Sequence, residues 1–220
     1  MLIDIWSDVV CPWCFIGRRR LEKALAGFPY RDEVVLRHRA FQLQPDLREI
    51  LPTGAHLAEK YNMKPEKVNE MRTNLRELAK GEDLNFSLAD TFSGNTFDAH
   101  RLLLWADGLG MQDRLLEEMY SAYFEKSLPL FSHQDLLHIV DSLGIDRGLA
   151  QNILESNEFG DKVREDGEIA RALGATGVPF YVLNMKFGIS GAQSVEIFAQ
   201  TLDRAWNEES KSNGEEMGSR

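Results

Sequence analysis

The chain is short of several things that would assign it to a common class. It has only two cysteines in 220 residues, so no disulfide framework can hold it together. No stretch approaches the about 18 consecutive apolar residues of a membrane-spanning helix. Basic residues are outnumbered, 25 Lys and Arg against 35 Asp and Glu, for a formal net charge of −10. Nucleic acids and anionic membranes both call for a concentrated basic surface, so neither is an expected partner. The run Arg18-Arg19-Arg20 reads as the solvated face of a helix rather than a binding patch. The opening MLIDIWSD has no basic segment followed by a long apolar one, and the cytoplasm is the expected compartment.

What is present describes an ordinary globular chain, 43% hydrophobic and 27% charged, long enough for one large domain or two closely joined ones. Leu2 to Trp6, Val34 to Leu43 and Phe180 to Asn184 are strand candidates. Between the first two, Pro12 to about Ala26 has helical spacing and is closed by Gly27-Phe28-Pro29, which makes a βαβ unit. From about Gly54 to Gly174 apolar residues recur at helical intervals, as in the stripes Val68, Met71, Leu75, Leu78 and Leu136, Ile139, Val140, Leu143. Ser132 with Asp135, and Asn95 with Asp98, read as helix starts; Gly144 and Gly174 read as helix ends. Met119, Tyr120, Tyr123 and Phe124 read as core. After residue 175 β character returns, with a hairpin turn at Asn184 and Met185, a partner strand in KFGIS and a last helix from Val195 to Trp206. The polar segment from residue 209 onward is too poor in apolar residues to order itself. No internal repeat is evident.

Both cysteines lie in one stretch, SDVVCPWCFIG, at the mouth of the first helix. In a reducing compartment a stable structural disulfide is disfavoured, and a close pair points to exchange chemistry or a metal. The attacking species in exchange is a thiolate. The start of a helix supplies unpaired N–H groups and the positive end of the helix dipole, which favour an anion at Cys11. Pro12 suits the first turn because it has no N–H to leave unpaired. Cys11 is thus the expected nucleophile and Cys14, one turn inward, the resolving thiol. Trp13 between them is read as an apolar contact for substrates beside an exposed sulfur. An inert core pair is the bland alternative. A zinc site using His133 and His138 is the other, but those histidines lie far along the chain rather than about a dozen residues away. No metal is expected. A buried Asp4 or Asp8 near the thiols could accept a proton during exchange, although an exposed acid at a strand end is the preferred reading of each.

The order βαβ, helical block, ββα, together with Asp8, Cys11, Pro12, Trp13, Cys14 and Gly17 and the later TGVPF from Thr176 to Phe180, resembles the thioredoxin superfamily. Within it the chain resembles the DsbA-type thiol–disulfide oxidoreductases, and more narrowly the FrnE-like branch; NTFDAHRLLLWA and FGISGAQ look like members of that branch. The resemblance implies an α/β thioredoxin fold with a large inserted α-helical domain: residues 1–45 and 165–208 forming the thioredoxin-like part, 46–164 the insertion and 209–220 a flexible tail. It implies a redox-active disulfide Cys11–Cys14 with no bound cofactor, and glutathione as a possible co-substrate. Protein or small-molecule thiols and disulfides are the implied partners, for a monomer or a homodimer. It further implies a cis-proline at Pro179, with the backbone of Val178 pairing to an extended substrate. Asp8 is implied as active-site support, and Asn95, Thr96 and His100 begin a helix over the site where they would contact substrate; a helix cap and an ordinary helix histidine are the bland reading of those three. Two related activities stay open: a glutathione-dependent transferase of the kappa class or a 2-hydroxychromene-2-carboxylate isomerase, whose members have serine where Cys11 stands. A chaperone-like holdase is the non-enzymatic alternative.

Overall fold

The computed structural model describes residues 1–88 and 90–218. Strand β1 (Leu2–Ser7) points Ile3 and Ile5 to one side of the sheet and Asp4 and Trp6 to the other, all buried. Helix α1 (Pro12–Ala26) follows with Cys11 at its N-cap and Pro12 in its first turn, and closes on Gly27, whose N–H bonds back to Ala24. Strand β2 (Val35–Ala40) lies parallel to β1, in register from Leu2 opposite Val35 to Ser7 opposite Ala40. The parallel pairing requires a crossover, which α1 supplies.

The helical block then begins with β3 (Leu51–Pro52), α2 (Thr53–Lys60), α3 (Pro65–Lys80) and β4 (Phe92–Ser93), where β3 and β4 form a small antiparallel pair. It continues with α4 (Phe97–Asp107), α5 (Gln112–Tyr120) running into a π-helical turn at Ser121–Glu125, α6 (His133–Ser142) and α7 (Arg147–Glu155). Helix α8 (Gly160–Ala172) returns to pack on β1 and β2. The hairpin of β5 (Phe180–Leu183) and β6 (Phe187–Ser190) turns at Asn184 and Met185, both with positive φ. Helix α9 (Val195–Gly218) packs on α1. The main sheet has the order β2-β1-β5-β6, with β5 antiparallel to β1.

This is the expected mixed α/β architecture, with a helical block between β2 and α8. On one sheet face Ile3, Ile5, Leu21, Phe198 and Leu202 join β1, α1 and α9. On the other, Trp6, Phe180 and Val182 meet Ala170 of α8. A third cluster belongs to the helical block and reaches into α1: Phe15 stacks on Tyr120 at 4.9 Å and Phe86 stacks on Phe124 at 4.9 Å.

Several local expectations change. The expected seam between residues 164 and 165 falls inside α8. On α3, Val68 and Ala79 are buried while Met71 and Leu78 are exposed, so the face inferred from Val68, Met71, Leu75 and Leu78 is rotated from the one that packs. Ser132 and Asp135 form the expected capping box, whereas Thr96 rather than Asn95 takes the N-cap position of α4. Helix α9 continues to Gly218 and takes in most of the segment expected as a tail, whose last two residues, 219–220, lie outside the described residues.

An ionic lattice built on two buried aspartates, Asp4 and Asp166, ties β1 to β2 and α8. Asp4 accepts bonds from Arg37 at 2.5 and 2.8 Å and from Arg39 at 2.9 Å. Arg39 also reaches Asp166 at 2.9 Å, and the Asp166 carbonyl accepts the Trp6 indole N–H at 2.7 Å. Burial pushes the Asp4 carboxyl up, but its bonds to Arg37 and then Arg39 outweigh this and hold it below its ordinary value. A carboxyl lowered in the folded state adds stability that is complete above its unfolded pKa, about 4, and is lost as pH falls through the folded value. Asp4→Asn is therefore expected to unfold about 1–3 kcal/mol more easily than the unaltered protein near neutral pH, with the gap narrowing below about pH 4. Urea unfolding across that range checks it; a gap that stays constant in acid contradicts the assignment.

Candidate active site

Two segments that are 167 residues apart meet at the start of α1. The Cys11 Sγ donates to the Val178 carbonyl at 3.4 Å, and the Val178–Pro179 peptide bond is cis. The Cys11 amide donates to the Asp8 carbonyl at 3.0 Å, and the Cys14 amide to the Cys11 carbonyl at 3.0 Å, so the loop before the helix and its first turn form one hydrogen-bonded unit. Both cysteines are free thiols. The expected exposed sulfur is instead covered: Cys11 is 3% exposed and Cys14 2%, while Trp13 stands out at 43%. Cys11 is the N-cap residue and touches the Val178 carbonyl, Cys14 follows one turn into the helix, and both belong to the apolar core shared with the helical block.

The two sulfurs are electrostatically unequal. Burial, reinforced by a hydrogen bond and charge repulsion from Cys11, pushes the Cys14 thiol well above its ordinary pKa; a main-chain hydrogen bond from Asp8 opposes this without reversing it. Cys14 is thus held as a thiol. Tyr120 and Tyr181, also buried beside the pair, are likewise pushed up, by burial first and then by the nearby Cys14. Sequence reasoning placed Tyr120 only in the core and did not single out Tyr181, because nothing local to either residue marks its nearness to the cysteines.

Gly17 explains how α1 comes so close to the proline. A Cβ there would lie 2.5 Å from the Tyr181 hydroxyl, 3.1 Å from Pro179 Cγ and 3.3 Å from Ala192 Cβ. Tyr181 is 1% exposed and fixed in the core, so it cannot swing aside. Arg20 adds a bond to the Ala192 carbonyl at 2.7 Å.

The run Arg18-Arg19-Arg20 does not form a solvated face. Arg18 binds Asp113 of α5 with two bonds of 2.8 and 2.9 Å, Arg19 pairs with Glu117, and Arg20 joins Lys23 on Glu82 at 2.6 and 2.9 Å. His38 and then Arg18 hold the Asp113 carboxyl far below its usual range. These pairs clamp α1 to the helical block. Beside them a cleft of about 410 Å³ reaches Cys14 from the side of β2 and α5, between an apolar floor including Ile5, Leu21 and Leu116 and the polar Arg18, His38 and Asp113.

Asp4 and Asp8 are both 1% exposed, which reverses their reading as exposed strand-end acids. Asp4 belongs to the ionic lattice on the far face of the sheet. Asp8 sits under the cysteines, with Oδ2 accepting the Leu43 N–H at 2.8 Å and Oδ1 lying 3.4 Å from His100 Nε2. Thr96 and His100 are each 2% exposed, so neither presents a substrate-binding surface. The Asn95 side chain accepts from the Gln42 amide at 2.7 Å and the Phe97 N–H at 2.8 Å and donates to the Pro45 carbonyl at 2.8 Å, which ties the loop after β2 to the start of α4. His133 lies 3.2 Å from Asp98 and His138 is exposed on α6. Among the described residues, no cluster of His, Cys, Asp and Glu is arranged to hold a metal ion.

The fold and site define a thioredoxin-type redox protein with a helical insertion. The chain belongs to the DSBA-like thioredoxin domain family, whose model it matches over residues 2–203, and it is a thiol–disulfide oxidoreductase. It is 40% identical to the probable DsbA oxidoreductase SCO1869 from Streptomyces coelicolor, with a TM-score of 0.91, covering 94% of this chain and 91% of that one. It shares its fold with the cytosolic disulfide reductase DsbM from Pseudomonas aeruginosa, solved with GSH, at 17% identity and a TM-score of 0.64, covering 97% and 100%. It shares it equally with a 2-hydroxychromene-2-carboxylate isomerase, at 15% identity and a TM-score of 0.66, covering 96% and 98%.

Two outcomes follow from this geometry. Gly17→Ala is expected to destabilise the fold by about 1–3 kcal/mol through overpacking and to slow reaction at Cys11 by moving α1 away from Pro179. Thermal unfolding and iodoacetamide kinetics check it; a variant that matches the unaltered protein in both would mean the contact is slack. In the unaltered reduced protein, limited iodoacetamide should label Cys11 before Cys14, because the buried Cys14 is held protonated and a thiol does not attack. Mass mapping that finds Cys14 labelled first would reverse the roles of the two sulfurs.

Proposed function

We propose that Cys11 and Cys14 form a redox pair that exchanges disulfides with protein or small-thiol substrates in the cytoplasm, in the manner of the FrnE-like branch. The observation that carries this reading is the contact of Cys11 Sγ with the Val178 carbonyl, 3.4 Å, with Cys14 one helical turn away. In the oxidising direction a substrate thiolate attacks Cys11 Sγ of the Cys11–Cys14 disulfide. The new bond joins substrate sulfur to Cys11, and the electron pair of the broken bond leaves on Cys14, which takes up a proton. A second substrate thiolate then attacks the substrate sulfur, a substrate disulfide forms and Cys11 leaves as thiolate. In the reducing direction the Cys11 thiolate attacks a substrate disulfide, and Cys14, once deprotonated, displaces the substrate sulfur from Cys11.

The main chain of Val178 is free in this reading to pair with an extended segment or a glutathione backbone, a mode that tolerates varied sequence. Val178 would give up its bond to Cys11 Sγ as substrate enters. Trp13 offers an exposed apolar contact beside the groove. Glutathione as a co-substrate is supported by the likeness to DsbM, which was solved with GSH. The cysteine at position 11, where the transferase and isomerase relatives have serine, favours exchange over their chemistry.

The expected behaviour of single-cysteine variants separates the two sulfurs. Cys14→Ser should accumulate mixed disulfides through Cys11, visible on non-reducing gels and reversed by dithiothreitol, while Cys11→Ser should give none. Equal trapping by both variants, or by neither, would contradict the exchange mechanism.

A further inference from the structure

One buried acid–base contact beside the thiols has no structural partner of its own. Asp8 and His100 are 1% and 2% exposed. Asp8 Oδ1 and His100 Nε2 lie 3.4 Å apart, within ion-pair reach but out of hydrogen-bond alignment. Neither atom has another partner. A buried polar atom left unbonded costs about 1–3 kcal/mol, more when it is charged, so a pair of them facing each other is an expensive arrangement for packing alone. Both residues are held firmly in place. Asp8 is fixed by its carbonyl to the Cys11 amide and by Oδ2 to Leu43. Helix α4, which carries His100, is clamped by Arg101, whose guanidinium bonds the carbonyls of Ile153, Ser156 and Glu158.

We propose that His100 is a positioning residue of the exchange reaction: through Asp8 it receives the proton that the Cys14 thiol must lose before Cys14 can attack, and returns it when Cys14 is the leaving sulfur. This rests on the exchange function proposed above. The need for an acceptor follows from the burial of Cys14 and its place next to Cys11. Asp8 is the acid nearest this sulfur in the chain, and its carbonyl is bonded to the Cys11 amide at 3.0 Å. In the resolving step the S–H bond of Cys14 breaks and its proton passes to the Asp8–His100 pair. The new Cys14 thiolate forms a bond to Cys11 Sγ, and the Cys11–substrate bond breaks with its electron pair on the substrate sulfur. No further oxidant is needed, since the substrate sulfur is reduced as the cysteine pair is oxidised.

The other ionisable groups facing the pair are committed elsewhere. Cys11 is the partner sulfur. Tyr123, of the π-helical turn, donates to the Phe92 carbonyl at 2.6 Å and is pushed up by burial to about 12. Tyr120 is pushed up by burial. From β2, Arg39 is bound to Asp4 and Asp166, and His38 faces Asp113. Asp98 and Arg101 of α4 bond each other. Between His100 and β2 lies a cavity of about 10 Å³, lined also by Ser7, His38 and Gln112, about the room that one water needs.

The test uses 5,5′-dithiobis(2-nitrobenzoate), which releases one coloured thiolate when Cys11 attacks it and a second when Cys14 closes the disulfide. Stopped-flow traces separate the two phases. With His100→Gln, which fills the site but cannot take up a proton there, the second phase is expected to slow about tenfold or more near neutral pH. Its rate should then climb into the alkaline range until it meets that of the unaltered protein. The first phase should stay within about twofold, since the nucleophile is Cys11. A second phase with an unchanged rate and pH profile in a folded variant overturns the proposal. If the variant does not fold, the unaltered protein decides: its second phase should level off as pH rises, and one that instead keeps rising about tenfold per pH unit through about pH 9, as an unassisted buried thiol would, overturns it. A protein that never releases the second thiolate refutes the exchange function itself, an outcome distinct from either of these.

Discussion

The structure turns on how closely helix α1 is pressed between the sheet and the helical block. Gly17 allows the helix to lie against Tyr181 and Pro179, with no room for even one methyl group. On the opposite side Phe15 enters the aromatic stack with Tyr120 and Phe86, and Arg18 and Arg19 bind the carboxylates of α5. Each contact is ordinary; together they leave the start of the helix one position. That position puts Cys11 against Val178 and drops Cys14 into the core.

The chemistry follows from the depth of the two sulfurs. One turn of helix separates Cys11, in contact with the Val178 carbonyl, from Cys14, whose burial makes it hard to ionise. In the exchange proposed above, Cys11 meets substrate, while Cys14 waits protonated and acts once a mixed disulfide has formed. The charged groups near the pair divide along the same line. Asp4 and Asp166 are occupied by Arg37 and Arg39 on the far side of the sheet. Asp8, on the thiol side, is met by a histidine that only the helical block can supply. The insertion thus does more than cover the fold, because it carries both the aromatic bed of α1 and the histidine that faces Asp8 Oδ1.

Much of this was legible in the sequence, and what was not shares a cause. The βαβ unit, the limits of α1, the glycine helix ends, the Ser132 capping box and the hairpin at Asn184 and Met185 are local, decided by residues within a few positions of one another. The pair of motifs around Cys11 and Pro179 was readable because each keeps a distinctive residue order. The errors came where a distant element decides the environment. Asp4 and Asp8 looked like exposed acids because nothing nearby indicates that α8, α4 and the loop after β2 cover them. The arginine run looked solvated because, Glu22 apart, its carboxylate partners lie from Glu82 to Glu117. His100 could be placed on a helix, but the sequence does not show that its helix turns it inward onto Asp8. The stripe on α3 was misjudged because Met71 and Leu78 fit the period of a buried face while the helix presents a different one.

Cys11 and Cys14 are proposed to interconvert between dithiol and disulfide as a single two-electron couple. Equilibrating the protein in glutathione buffers of graded redox ratio, trapping free thiols with a mass tag in acid, and counting tags by intact mass tests it most directly. One transition is expected between species carrying two tags and none, about tenfold in the equilibrium ratio for each 30 mV, that vanishes in both single-cysteine variants. A protein that keeps both tags across the whole range, or carries a single tag throughout because glutathione stays on one cysteine, would contradict it.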